Sequence, residues 1–211
     1  MNSILTISTP ATSRALLTAA ELRAAAGVTD NSRDVELAEA GLRASDIIAE
    51  HCRVGGDGVT PVTLLRETLV ETFRLRCSTE MLILARRFLG TVSVVEDGTT
   101  LEATDFTIEA SAGVLMRLRD DEPCWWTGRK IVVTYQAGFA EPPSALKEAA
   151  TRILRLNLSS TSRDPLVKRE RVDVDGIEQI ETEFWVGPVT GGAIPTDVAD
   201  ILRPYMNNPV V

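Results

Sequence analysis

The side chains best suited to chemistry are few: one histidine, three cysteines, a glycine-rich run, a tryptophan pair and a small basic cluster. His51 is the only histidine among 211 residues. A lone histidine is poor ground for a metal site or a catalytic base, and its place near a helix end suits an imidazolium facing the helix dipole. Cys52, Cys77 and Cys124 lie far apart with no C-x-x-C spacing, so they read as reduced thiols rather than a disulfide or zinc framework. Gly55-Gly56-Asp57-Gly58 has the glycine content of a phosphate loop but lacks the Lys-Ser/Thr that would follow one. G-x-S-x-G and H-E-x-x-H are both absent, and a Ser-His-Asp triad would have to use His51. Thirty Asp and Glu residues leave two-carboxylate hydrolysis open, yet nothing in the spacing selects a pair. The expectation is a protein that is not an enzyme, with no catalytic residue, cofactor or metal.

Two other groups suit binding. Trp125 and Trp126 could stack on a ligand, or could cover one end of a small sheet, since each buries a large apolar area. Arg163, Lys168, Arg169 and Arg171 form a basic cluster diluted by Asp164 and Glu170. It reads as a DNA contact, a solvated loop or an inter-subunit ion pair.

Bulk composition narrows the setting for these groups. The chain is 44% hydrophobic and 25% charged, which is ordinary for a folded domain of this length. Its net charge of −8 argues against a conventional DNA-binding domain, which would carry a basic footprint. The 22 basic residues are mostly arginine, a residue suited to bidentate contacts at interfaces, although high-GC coding would give the same bias. The first ten residues lack the basic start and apolar core of a signal peptide, and no apolar run approaches the ~20 residues of a membrane span. No membrane association is expected.

The elements that position these residues follow from periodicity. Thr18 and Glu21 form a capping box with Leu17 as a staple, and a short helix follows to Gly27. Val35, Ala38, Leu42 and Ser45, continued by Ile48 and Ala49, mark a second helix over about 33–52, roughly 30 Å long. The pattern then turns to short alternating strands over 67–75, 81–84, 92–101, 106–109, 114–118 and 130–136. Asp97-Gly98 supplies one hairpin turn. Ser144 can cap a helix with Leu146, Ala149, Ala150, Ile153 and Leu154 on one face. Residues 161–211 hold half of the ten prolines, which reads as an extended arm rather than a second core. Within it Phe184-Trp185-Val186 is an apolar patch that needs a surface, read here as inter-subunit. Val198, Ile201 and Leu202 give a short terminal helix ended by Pro204 and Tyr205, too short to stand alone. The expected fold is α+β: N-terminal helices over 1–61, a β-rich insertion over 62–140, a core helix over 141–160, and an arm over 161–211 ending in that helix.

One stretch carries more. Tyr135, Ala137, Gly138, Pro143, Leu146, Lys147, Ala149 and Ile153 give a strand ending V-T-Y-x-A-G, a proline turn, then L-K-x-A-x-x-x-L. Preceded by W-x-x-G-R-x-I-V-V-T-Y, this resembles the head–tail adaptor (connector) family of tailed bacteriophages and gene transfer agents. The resemblance runs from Thr18 to the terminal D-V-x-x-I-L-x-P-Y. It implies a small helical bundle core with an inserted antiparallel β-domain, in a subunit of a homo-oligomeric ring of twelve. That ring would join the portal to a tail-side stopper or tail terminator protein, in the neck of a virion assembled in a bacterial cytoplasm. Double-stranded DNA would touch the channel only in transit. On this reading Val198, Ile201, Leu202, Pro204 and Tyr205 dock on the portal. The alternatives are a β-rich module binding peptide or carbohydrate through Trp125 and Trp126, and a small hydrolase.

Overall fold

The structure, a computed structural model, describes residues 2–161, 169–172, 180–183 and 194–207. Helices and antiparallel strands are both well represented, so the class is mixed α+β. In chain order, β1 (Asn2–Thr9) precedes the helices α1 (Ala19–Ala26) and α2 (Asp34–His51). Eight strands follow: β2 (Glu67–Arg74), β3 (Met81–Ile83), β4 (Leu89–Glu96), β5 (Thr99–Thr100), β6 (Phe106–Glu109), β7 (Val114–Arg119), β8 (Glu122–Cys124) and β9 (Lys130–Ala137). After α3 (Ser144–Thr161) come β10 (Arg169–Val172), β11 (Ile180–Glu183) and α4 (Thr196–Leu202).

The helices gather around one apolar cluster. Thr18 accepts the Glu21 N–H and Glu21 reciprocates, so the expected capping box opens α1. Leu22 of α1, Leu37, Ala44 and Ile48 of α2, and Leu146, Ala150 and Leu154 of α3 are buried together, as the 3.6-residue spacing requires. Lys147 then ties α3 back to the cap, its Nζ 2.8 Å from Glu21. That cation holds the Glu21 carboxyl below its ordinary value.

The strands form a second core. Five run in the order β1-β2-β9-β4-β5, and β3-β7-β6 with β8 beside β7 make a smaller sheet. Leu69 and Phe73 of β2, Val94 of β4 and Ile131, Val133 and Tyr135 of β9 point inward, meeting Leu82 of β3, Phe106 of β6, Leu115 of β7 and Trp126. The two sheets enclose that core between them, as in a small sandwich.

Three features depart from the sequence expectation. Residues 2–9 are not part of a purely helical N-terminal segment: NSILTIST alternates, and β1 adds to the edge of β2 with Leu5 and Ile7 packed on the β core. The terminal helix is not at the end of a free arm, because Val198 and Leu202 of α4 are fully buried in the helical cluster. Finally β10 pairs with β11 as a ladder that joins neither larger sheet.

Candidate interaction surfaces

The polar chemistry of the molecule concentrates at the junction between the two cores. β2 alternates, so Glu67 and Glu71 fall on its inward face beside Leu69. Arg86 meets them from the loop between β3 and β4. Its Nη2 lies 2.8 Å from Glu67, its Nη1 2.7 Å from the Thr63 carbonyl, and its Nε donates to the Gly55 carbonyl. The other Glu67 oxygen accepts the Ala11 N–H at 3.1 Å. Glu71 accepts from the Ala85 N–H at 2.9 Å and from the Tyr135 hydroxyl at 3.0 Å. Burial outweighs those donors and raises the Glu71 carboxyl above its usual range. Burial also draws the Arg86 guanidinium down, against the pull of Glu67, and pushes the Tyr135 phenol up, with Glu71 adding to that rise. Each carboxylate faces protein donors, and this arrangement fastens the linker before α1, the loop after α2 and the β3–β4 loop to one strand. Gly55 is required for it, since a Cβ there would stand 2.5 Å from the Ala85 carbonyl oxygen. This is the carboxylate pair that the sequence did not single out; an i, i+4 spacing inside an alternating strand was its only signal.

The other chemical candidates separate. His51 is half-buried in the last turn of α2, and no group of three metal-binding side chains occurs among the described residues. Next to it Cys52 is fully buried, which pushes its thiol up to about 12 and away from thiolate chemistry. Asp57 in the glycine-rich run accepts the N–H groups of Thr60 and Val59 at 2.7 and 2.9 Å. Those bonds lower its carboxyl to about 2 and make the run a closed turn. Trp126 lies wholly inside the β core, so a stacking site built on both tryptophans is ruled out; Trp125 alone is open, at 54% exposure.

The residues assigned to portal docking are mostly engaged within the chain. Besides Val198 and Leu202, Ile201 packs partly on the helical cluster, and Pro204 is exposed. Tyr205 joins Phe88 and Phe139 in an aromatic trio with centroids 4.7 to 6.0 Å apart. Arg87 donates to the Met206 carbonyl, and the Asn207 amide donates to the carbonyls of Arg53 and Ala85 at 3.1 Å. The apolar face of α4 therefore has an intramolecular partner, which corrects its assignment to the portal. Phe184, Trp185, Val186, Arg163 and Lys168 lie outside the described residues. Arg169 and Arg171 belong to β10, where the register sets them across from Glu183 and Glu181, so basic and acidic residue types alternate across that ladder.

What remains open to solvent includes the outer faces of the two sheets, whose central rows carry no charge. On the outer side of the larger sheet the register aligns Ile4, Thr72, Val132 and Val95 in one row. Thr6, Val70, Thr134 and Ser93 align in the next, and Thr68 and Gln136 continue it. Ile4 is 57% exposed, and Thr6, Thr134 and Ser93 are exposed. No charge stands in these rows, and the next row of the same face carries exposed Arg74 across from exposed Lys130. The outer side of the smaller sheet carries Met81, Ile83, Val114, Met116 and Leu118. Met81 is 41% exposed and Leu82 and Leu115 point the other way, into the core. The only acidic residue of that side is Glu109, at its corner across from Val114.

No helix among the described residues is long and apolar enough to cross a membrane. Compared with protein-family models and with curated proteins, the chain finds no match in either.

Proposed function

We propose that the chain is a head–tail adaptor subunit, a structural protein that forms a ring between portal and tail around the DNA exit channel. The observation that carries this reading is the pair of outer sheet faces whose central rows carry no charge, one on each sheet of the β-unit. Two different contact surfaces on one subunit are what a head-to-tail ring requires. The motif shared with the adaptor family supports it. Tyr135 bonds Glu71, Leu146, Ala149 and Ile153 enter the helical cluster, and Lys147 grips the cap of α1. The strand half of the motif thus serves the β core and the helix half serves the helical unit, which this reading takes as the bundle core. On this reading exposed Pro204 belongs to the portal-side surface, and Phe184, Trp185 and Val186 are inter-subunit residues. DNA contact is transient and repelled overall by a net charge of −8 per copy.

The test is genetic and biochemical. Cells lacking the protein should accumulate DNA-filled heads without tails, and adding purified chain to those heads should restore tail attachment. Normal tailed particles from such cells would overturn the reading.

A further inference from the structure

We infer that successive copies meet face to sheet face: the outer side of the five-stranded sheet of one copy packs on the outer side of the smaller sheet of the next. The inference rests on the ring reading for its head-to-tail sense, and deepens it by naming the contact. Copies that each carry −8 repel one another, so their contact falls where carboxylates are missing. The outer rows of the larger sheet meet that condition and those of the smaller sheet do so up to the Glu109 corner, while the exposed sides of α1 and α2 carry Glu21, Glu36, Glu39 and Asp46. The two faces also differ in a complementary way. One is a flat array of β-branched and small side chains centred on Val70, Thr72 and Val132. The other carries the flexible side chains of Met81 and Met116, which fill irregular relief.

Area points to a second copy rather than an unrelated partner. Four strands ~4.8 Å apart and three rows ~7 Å apart give a face of roughly 400 Å². That is well below the ~800 Å² per partner of a standard complex. Such a patch holds little by itself, whereas a ring member has one on each side and gains from closure. The larger sheet also keeps β1 at its edge, an eight-residue strand with no charge and no proline, which extends the surface beside Ile4.

Cysteine pairing tests this in the full chain, with Cys77 and Cys124 first changed to serine. Thr134→Cys and Met81→Cys mark the centres of the two faces. Oxidation of the double variant should give a ladder of cross-linked species beyond the dimer. A mixture of the two single variants should stop at dimers, and each single variant alone should stay unlinked. Linking of Thr134→Cys to itself would overturn the pairing, because the face would then meet its own copy. Assembly by mass without any Thr134–Met81 link would overturn the pairing and leave the ring reading standing. A ladder from a chain that never rescues tailless heads would keep the pairing and sink the adaptor reading. A wild-type chain that stays monomeric into the millimolar range would overturn the pairing outright. Thr134→Lys should abolish self-association, and Val35→Lys, on a helix at 77% exposure, should leave it unchanged.

Discussion

At the scale of single residues, the fold depends on a few polar groups placed where two cores meet. Arg86 and Glu67 are almost wholly buried, so removing either strands the other without its counter-charge. Arg86→Met is expected to cost about 3–5 kcal/mol in urea unfolding, and changing Glu67 to Gln as well should recover part of that loss. Glu71 gives a distinct pH signature. Its folded carboxyl holds its proton to higher pH than the unfolded one, for which the ordinary value is 4.5. Between those two values the folded state binds more protons, so stability from this group falls as pH rises through that window. Glu71→Gln should flatten that slope. Asp57 works in the opposite sense: its folded value of about 2 lies below the ordinary 3.8, so its contribution is present above pH 4 and lost on acidification toward 2. Denaturant midpoints measured from pH 2 to 8 on the wild type, Glu71→Gln and Asp57→Ala check both signs. Gly138 is the backbone counterpart. With φ at +92° and the Leu65 carbonyl oxygen 2.5 Å from where a Cβ would stand, Gly138→Ala should cost more than about 1 kcal/mol.

At the scale of elements, α4 and the segment after it act as a clasp. The helix is short, and Leu202 is fully buried among its neighbours. Leu202→Ala should therefore cost about 2–5 kcal/mol, and truncation after Gly192 should lower the melting temperature sharply. A truncated chain that melts like the wild type would return α4 to the role of a partner-docking element. Sequence period located most elements because each helix and strand buries one face. Val35 to Ile48 and Leu146 to Leu154 show the helical spacing, and 67–74 and 130–137 alternate cleanly. The same period could not say what α4 packs on, since an amphipathic stripe is identical whether its cover is internal or foreign. The alternation of Leu5, Thr6, Ile7 and Ser8 is a strand signal that the sequence reading passed over, and period alone could not name its partner strand some sixty residues away. The Glu67–Arg86 pair was hidden for the same reason: the two residues are joined by folding, not by spacing.

At the scale of the whole molecule, two cores are fastened by an ionic network and a strand-to-helix corner, and the β core turns outward two sheet faces whose central rows carry no charge. The open faces became visible only with the register, because Ile4, Thr72, Val132 and Val95 are scattered along the chain and adjacent only across strands. The most direct test of the adaptor reading is an electron-microscopic image of particles carrying a gold-labelled copy of this chain. The adaptor reading predicts label confined to the neck, between capsid vertex and tail, in a ring coaxial with the channel. Label scattered over the capsid or along the tail, or particles carrying none, would contradict it.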